Sequence, residues 1–258
     1  MSATGENLVR TERTGQTGRL LVVRMCREAK RNAVNRQLAD ELDAAFNLLE
    51  DDDGLWAGVL TGTASVFCAG SDLTAGGDYL TERGGEYGLI RRRRRKPLIA
   101  AVEGPALGGG LELVLACDLV VASRTARFGL PEVSRGLVAS CGALFRTPQR
   151  LPANLARELL LTGDPIAADR ASAGGLVNVV TEPGGAVPAA VALGMRICAN
   201  APVAVQASLV AVNRWLAAAE EFGWQVTADA VAAIGASEDH REGIAAFLEK
   251  RPPRWTGR

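Results

Sequence analysis

The amino-acid sequence predicts an α/β fold in which a body of alternating strands and helices is followed by a helical C-terminal part. Strand-like and helix-like segments alternate as far as residue 180, and from about residue 185 the pattern is helical only. Such alternation is typical of sheets whose strands are joined by helices. The chain has 258 residues, 48% of them hydrophobic, which is enough for one large α/β domain or for such a domain with a smaller appendage.

Hydrophobic periodicity predicts the individual elements. Leu38, Leu42 and Phe46 recur at helical spacing and predict the first helix, while short apolar runs predict the strands. Residues 74–90 are rich in glycine and charge, and we expect a mobile loop there. Ser237 is the expected N-cap of the last helix. In chain order, the predicted strands are 19–25, 56–61, 98–102, 119–122 and 176–180, and the predicted helices are 35–49, 111–116, 142–150, 153–161, 166–173, 186–199, 202–219, 221–233 and 238–249.

Composition argues against several functional classes. Lys plus Arg and Asp plus Glu both number 29, so no excess charge favours a nucleic acid or a membrane surface. The five cysteines are scattered without a C-x-x-C pair, which argues for reduced thiols and against a disulfide framework or a metal site. The N-terminal residues lack the apolar segment of a signal peptide, and charged residues interrupt the apolar window 98–122. We therefore expect a cytoplasmic protein without a membrane span.

The single histidine, His240, disfavours mechanisms that pair a nucleophile with an imidazole. Any catalysis would therefore have to rely on carboxylates, backbone dipoles or a cofactor. Gly108 to Gly110, ahead of a predicted helix, either let another molecule approach the backbone N–H groups or permit tight packing. Glu112, in the first turn of this otherwise apolar helix, is either a structural partner of the helix dipole or a carboxylate kept dry for proton transfer. With Glu132, which follows Pro131, it could act as acid and base through a shared water.

One local pattern occurs twice. Residues 56–73 and 97–112 each consist of an apolar strand followed by a turn of small residues. Two parallel strands that end in such turns can bring two sets of backbone N–H groups to one edge of the structure. The repeat therefore predicts an anion site with two donors that needs no side chain.

The order of these motifs resembles the enoyl-CoA hydratase (crotonase) superfamily. The resemblance covers nearly the whole chain. The sequences that carry it are AVN at 33–35, FCAGSDL at 67–73, GPALGGGLELVLACDLVVAS at 104–123, FGLPE at 128–132, LTGDPIAADRASAGGLVNVV at 161–180 and EDHREGIAAFLEKRPPRWTGR at 238–258.

This resemblance implies an α/β fold built as a crotonase-like spiral of ββα units, with a C-terminal helical region used for trimerisation. We expect the spiral core with the active site at 1–195 and the helical oligomerisation region at 196–258. It implies hydration of 2-trans-enoyl-CoA thioesters to 3-hydroxyacyl-CoA, in fatty-acid or related acyl-CoA catabolism. The expected assembly is a homotrimer, or a hexamer formed as a dimer of trimers. No metal ion or redox cofactor is expected, since coenzyme A is part of the substrate.

The site residues carry over by position. Glu112 is implied to hold and activate the water that attacks C3, and Glu132 to supply the proton to C2. The backbone N–H groups of Ser71 and Gly109 are implied to form an oxyanion hole for the thioester carbonyl. The residues implied to line the substrate and CoA site are Arg31, Ala33, Ala69, Gly70, Asp72, Leu73 and Gly108.

The sequence departs from the hydratase pattern in two places. Residues 139–143 read ASCGA, where the family usually has a P-G-A-G-G-like turn, so Ser140 and Cys141 could alter the acyl pocket. Thr74 stands where many members have a lysine. The alternative reactions are isomerisation of an enoyl-CoA and a carnitinyl-CoA-type dehydration, and a non-catalytic CoA- or RNA-binding homologue is the remaining class.

The five consecutive arginines from Arg91 to Arg95 leave three interpretations open. They could form a solvated helix end, contact CoA phosphates, or bind RNA. Aromatic residues make up only 5% of the chain, and no RNA-recognition motif is present. Nucleic acid is therefore an unfavoured partner.

Overall fold

A computed structural model of the chain describes residues 7–15, 17–77 and 79–258. The strands are β1 (Val9–Thr14), β2 (Leu20–Met25), β3 (Ala57–Thr61), β4 (Leu80–Thr81), β5 (Gly85–Glu86), β6 (Leu98–Val102), β7 (Pro105–Leu107), β8 (Leu119–Ser123), β9 (Arg127–Gly129), β10 (Ile166–Ala167) and β11 (Val179–Thr181). The α-helices are α1 (Arg36–Asp51), α2 (Gly109–Leu115), α3 (Ala143–Arg150), α4 (Ala153–Thr162), α5 (Ala168–Ala173), α6 (Ala186–Cys198), α7 (Pro202–Gly235) and α8 (Glu238–Glu249). Two 3-10 helices span Glu28–Lys30 and Pro131–Arg135.

The main sheet has six strands in the order β1-β2-β3-β6-β8-β11. β1 pairs with β2 antiparallel, and every other neighbouring pair in this sheet is parallel. A second sheet has the order β10-β9-β7, in which β7 and β9 are parallel and β10 is antiparallel. The predicted α/β body followed by helices is confirmed.

The central strands of the main sheet are buried on both faces because they are continuous apolar runs whose successive side chains point to opposite faces. Leu21 and Val23 point into the larger core cluster, which contains residues of α1 and α2. Leu20 and Val22 point to the other face, where Ala186 and Ala190 of α6 cover the sheet. The sheet is therefore sandwiched between α1 and α2 on one side and α6 on the other.

Most predicted elements exist at the predicted places, and the differences have simple causes. The segment expected to form helices at 202–219 and 221–233 is one continuous helix, α7, because its Ala-Glu-Glu junction favours helix. The segment 166–173 begins as strand β10 before α5, and the strand expected at 176–180 begins only at Val179. β1 was not predicted because its residues, VRTERT, are mainly polar and it lies at a sheet edge.

The segment 74–90, expected to be a mobile loop, contains the short hairpin β4–β5. Asp78 lies outside the described residues. The Ser237 cap of α8 is confirmed, since its Oγ accepts a hydrogen bond from the His240 N–H at 3.1 Å. Residue 195, the boundary expected between core and helical region, lies inside α6.

Within the described ranges, no single helix has the length and apolar character needed to cross a membrane. One pair of helical segments, Ala186–Cys198 and Pro202–Ala217, passes that test together by length and composition, with a bend of 107° between them.

Candidate active site

Strand pairing brings the two candidate glutamates to one edge of the molecule. β7 leads into α2, which carries Glu112, and β9 leads into the 3-10 helix that carries Glu132. β7 and β9 are parallel with Leu107 opposite Gly129, and the Gly108 N–H donates to the Gly129 carbonyl at 2.9 Å. The two helices therefore begin side by side, although their glutamates are twenty positions apart in the chain.

Glu112 is a buried carboxylate held by the backbone. It is only 2% exposed, and its Oε1 accepts hydrogen bonds from the N–H groups of Cys141 at 2.7 Å and Ala143 at 3.1 Å. Burial, followed by the negative charge of Glu132, raises its pKa from 4.5 to about 8. Glu112 therefore lies in the dry surroundings that one of the two alternatives requires, and the ASCGA turn supplies its backbone donors. Its role in proton transfer stays a prediction.

Glu132 is half-buried, and part of its carboxylate is shielded from solvent. Its Oε2 is buried and has no hydrogen-bond partner among the described residues. A cavity of about 240 Å³ opens beside it, and burial raises its pKa from 4.5 to about 7. The other residues that line this cavity are mainly aliphatic, namely Leu130, Val133, Val138, Ala139, Leu144, Arg157, Leu160 and Leu161.

The two candidate oxyanion donors come from neighbouring turns. β3 and β6 are adjacent parallel strands, and Cys68 in the turn after β3 pairs with Ala106 of β7. A Cβ added to Gly70 would lie 3.1 Å from the Gly109 nitrogen, so the backbones before Ser71 and at Gly109 nearly touch. This confirms that the two strand–turn units meet at one edge. Within the described structure, neither the Ser71 nor the Gly109 N–H donates to a protein acceptor.

Glycine is required at this close approach. Gly70 has φ +95° and Gly108 has φ +54°, values that L-residues with side chains rarely adopt. A Cβ on Gly108 would also lie 3.0 Å from Glu132 Oε1. The glycines in these turns therefore allow the two backbones to pack closely and also leave their N–H groups exposed.

Several of the residues predicted to line the CoA site are neighbours in the structure. The Ala69 N–H donates to the Arg31 carbonyl at 3.0 Å, and Val34 forms a parallel bridge with Ser71. Asp72 is already engaged, since its carboxylate pairs with Arg27 at 2.7 Å and accepts from Thr74. Ala33, Gly70 and Leu73 lie beside these contacts in sequence, and Gly108 lies close to Gly70 in space. The contact of all the predicted residues with CoA stays a prediction.

Tyr87 is a site residue that sequence reasoning missed. It lies in the segment expected to be a loop, yet it is 1% exposed, and its hydroxyl lies 2.7 Å from Ser71 Oγ. A Cβ on Gly109 would lie 2.5 Å from that hydroxyl. The sequence offered one signal for a buried residue here, namely a tyrosine close to glycines on both sides within a polar segment.

The arginine run is largely part of the protein's own framework. Arg92 and Arg94 have side chains 2% and 7% exposed, and they form ion pairs with Asp43 and Asp118, both at 2.6 Å. Arg91 stacks over Trp224 at 3.7 Å from the ring centroid. The run borders a cavity of about 870 Å³ against α7, and neither candidate glutamate lines that cavity. A fully solvated basic run, one of the three interpretations, is therefore wrong for Arg92 and Arg94.

No group of three His, Cys, Asp or Glu side chains suited to hold a metal ion occurs among residues 7–15, 17–77 and 79–258.

Comparison with known proteins gives consistent matches across the chain. The model of the family described as enoyl-CoA hydratase/isomerase matches residues 15–258. A mevalonyl-coenzyme A hydratase of Aspergillus fumigatus is 37% identical and covers 93% of this chain and 92% of its own. A short-chain-enoyl-CoA hydratase of Clostridium acetobutylicum is 35% identical, with 91% and 93% covered.

Solved structures agree with the sequence relatives. A carnitinyl-CoA hydratase from Mycobacterium avium is similar with a TM-score of 0.91 and 41% identity, over 98% of this chain and 100% of its own. An enoyl-CoA hydratase from Mycobacterium tuberculosis gives a TM-score of 0.78 at 44% identity, over 98% and 100%.

Proposed function

The chain belongs to the enoyl-CoA hydratase/isomerase family, and from this premise we propose how its residues hydrate a 2-trans-enoyl-CoA thioester. The relatives named as enoyl-CoA hydratases support that reaction. The observation that carries the proposal is a pair of glutamates with raised pKa values, Glu112 buried and Glu132 half-buried with one buried carboxylate oxygen. Beside them are two backbone N–H groups that have no acceptor among the described residues.

The backbone donors activate the substrate in this proposal. The N–H groups of Ser71 and Gly109 bind the thioester oxygen, which withdraws electrons from the double bond and makes C3 electrophilic. As water adds, negative charge collects on that oxygen in an enolate-like intermediate, and preformed donors stabilise it without reorganising. Losing one donor of this kind typically costs about 10²–10³ in rate.

The two glutamates divide the proton transfers. The pKa values of Glu132 and Glu112 are about 7 and about 8. At a pH between these two values the pair holds one proton, so an acid and a base are present together. The family resemblance assigns Glu112 to the attacking water and Glu132 to protonation of C2. The two pKa values do not choose between this assignment and its reverse, because neighbouring carboxylates titrate as one pair.

All steps are thereby assigned to side chains and backbone. We propose that the enzyme uses no metal or redox cofactor and that coenzyme A enters only as part of the substrate. The residues proposed to contact it lie around Arg31, Ala69 and Gly70. There the Ala69 N–H donates to the Arg31 carbonyl, and the Gly70 carbonyl accepts from the Val34 N–H.

A second candidate is the related dehydration of a 3-hydroxyacyl-CoA. It is favoured by the high similarity to a carnitinyl-CoA dehydratase from Mycobacterium avium, with a TM-score of 0.90 at 42% identity. The same pair of acids would then protonate the leaving hydroxyl group and remove the C2 proton.

The test is loss of the ultraviolet absorbance of the enoyl thioester with crotonyl-CoA, measured for wild type, Glu112→Ala and Glu132→Ala. Loss of a positioned acid or base lowers the rate by about 10²–10⁴. Hydration by the wild type and a loss of that size in both variants support the proposal. A wild type that binds crotonyl-CoA without hydrating it refutes the proposal, and assays with a 3-enoyl-CoA and carnitinyl-CoA then separate isomerase from dehydratase.

We also propose self-association as a homotrimer or a dimer of trimers through the C-terminal helical region. Large apolar side chains along α7 are exposed in the single chain, including Val203 and Trp215 at 79% and Phe222 at 65%. Exposed apolar surface of this extent is typical of protein–protein contacts. Sedimentation of the wild type and of Trp215→Glu tests this, since a monomeric wild type contradicts it.

A further inference from the structure

We propose that Tyr87 is a positioning residue that holds the two oxyanion donors, the N–H groups of Ser71 and Gly109, at a fixed separation. The inference rests on the proposed function, because it concerns the same thioester site. Four features of the turn that carries Tyr87 support it.

The first feature is a contact that spans both donor turns. The Tyr87 hydroxyl lies 2.7 Å from Ser71 Oγ, and a Cβ on Gly109 would come within 2.5 Å of the same oxygen. One side chain therefore touches the turn after β3 and the start of α2. The oxyanion hole requires these two backbones to keep their spacing while charge develops on the substrate oxygen.

The second feature is burial. Tyr87 is 1% exposed, and a buried hydroxyl needs a hydrogen-bond partner. Its ring lies 4.6 Å from that of Tyr79, and burial raises the pKa of Tyr87 well above 10, so the hydroxyl keeps its proton. The contact with Ser71 Oγ is thus a neutral hydrogen bond in an apolar surrounding, where losing it is costly.

The third feature is the backbone. Tyr87 has φ +56°, a left-handed conformation that is unusual for a large side chain. Strained residues of this kind persist where the surrounding structure determines them, and they cluster at functional sites.

The fourth feature is the tight turn that imposes this conformation. A Cβ on Gly84 would lie 2.0 Å from the backbone of Gly88, and one on Gly88 would lie 2.5 Å from the Asp43 nitrogen. The glycines on both sides of Tyr87 thus permit a tight turn from which the ring reaches Gly109 at the start of α2.

The backbone also links the two donor turns, since Cys68 bridges Ala106 and the Leu107 N–H donates to the Cys68 carbonyl at 2.9 Å. Ser71 is held on one side by its bridge with Val34, and α2 is held on the other side through the Gly108–Gly129 hydrogen bond. These two contacts anchor the donor turns to different neighbours. Tyr87 adds a side-chain contact at the donor residues themselves, Ser71 and Gly109.

The experiment is a double-mutant cycle of Tyr87→Phe and Ser71→Ala, which remove the two ends of one hydrogen bond and leave both backbone N–H groups in place. We expect each variant to lower kcat about tenfold to a hundredfold with KM changed less than about threefold, as for a small displacement of catalytic geometry. The double variant should be no slower than the slower single variant, since all three lose the same contact. Thr227→Val, which removes a buried hydroxyl bonded within α7, is the control and should keep wild-type kcat.

The second readout is the carbonyl stretching frequency of bound butyryl-CoA labelled with ¹³C at the thioester. This analogue has no double bond to hydrate, so it reports polarisation by the donors alone. Binding to the wild type should lower the frequency, and Tyr87→Phe and Ser71→Ala should both return it part of the way to the value in solution. A folding defect alone would not produce this shift in the fraction that binds.

The outcomes separate this inference from the proposed function. If the wild type polarises the carbonyl but does not hydrate crotonyl-CoA, the hydratase proposal fails and the frequency shift in Tyr87→Phe still decides the role of Tyr87. An unchanged frequency in Tyr87→Phe, or a double variant whose loss is the product of the two single losses, overturns the inference.

Discussion

Replacing Glu112 with glutamine should stabilise the protein at alkaline pH while it abolishes most activity. The glutamine amide oxygen can still accept from the Cys141 and Ala143 N–H groups, so the change removes mainly the titration. Burial raises the Glu112 pKa from 4.5 to about 8, and the folded state therefore binds this proton more tightly than the unfolded state does. The stability that this proton contributes is fully present below pH 4.5 and is lost as pH rises through about 8.

The magnitude follows from the shift. Each pKa unit is worth about 1.4 kcal/mol, so the wild type loses at most about 5 kcal/mol of unfolding free energy from Glu112 across this pH range. Glu112→Gln does not lose this contribution. Its unfolding free energy relative to wild type should therefore rise by about 1.4 kcal/mol for each pH unit between 5 and 8.

The assay is urea unfolding at several pH values between 5 and 9, for wild type, Glu112→Gln and the control Glu221→Gln. Glu221 lies on the exposed side of α7, so its variant repeats the chemical change away from the site. Activity of Glu112→Gln should fall by about 10²–10⁴ at every pH. Parallel stability curves for wild type and Glu112→Gln would refute the dry environment on which the mechanism depends.

Three further outcomes are expected. The pH profile of kcat/KM should be bell-shaped with limbs near the pKa values of about 7 and about 8, because only the singly protonated pair is active, and a flat profile from pH 6 to 9 would contradict this. Gly108→Ala should lower kcat and destabilise the fold by about 1–3 kcal/mol, because φ +54° is unfavourable for alanine and its Cβ would crowd Glu132; rates and thermal melts check both. Arg92→Met should cost about 3–5 kcal/mol in urea unfolding by leaving Asp43 without its partner, whereas the exposed Arg93→Met should change stability by less than about 0.5 kcal/mol, and equal effects would refute a framework role for the run.

The local pattern of the sequence predicted the parts of the fold that bury apolar residues with clear period. The strands β2, β3, β6 and β8 and the helix α1 were found in this way because each is bounded by turn residues. β1 could not be predicted from apolar periodicity, because this edge strand has mainly polar side chains. β7 and β9 have three residues each, too few for a period to register.

The parts of the candidate site that depend on residue type alone could be predicted from the sequence. Glu112 and Glu132 stand out as acids in apolar company, and the glycine turns mark exposed backbone. Their proximity was not predictable from local pattern, since it depends on the pairing of Leu107 with Gly129 across two short strands. The donors to Glu112 were hidden for the same reason, because backbone N–H groups of the ASCGA turn carry no signal in the sequence.

Acid–base chemistry between two carboxylates requires that no basic side chain pair with them, although the chain has 29 Lys and Arg residues. The ion pairs of the arginine run show where some of these basic side chains are held instead. An arginine paired with Glu112 would lower its pKa, and the glutamate pair would then hold its shared proton less tightly at neutral pH. No cation is among the main influences on Glu112, and Arg135 is the one that acts on Glu132. Arg92 and Arg94 are instead paired with Asp43 and Asp118 away from the two glutamates. Holding basic side chains in ion pairs elsewhere thus keeps one proton in the site, which the proposed reaction requires.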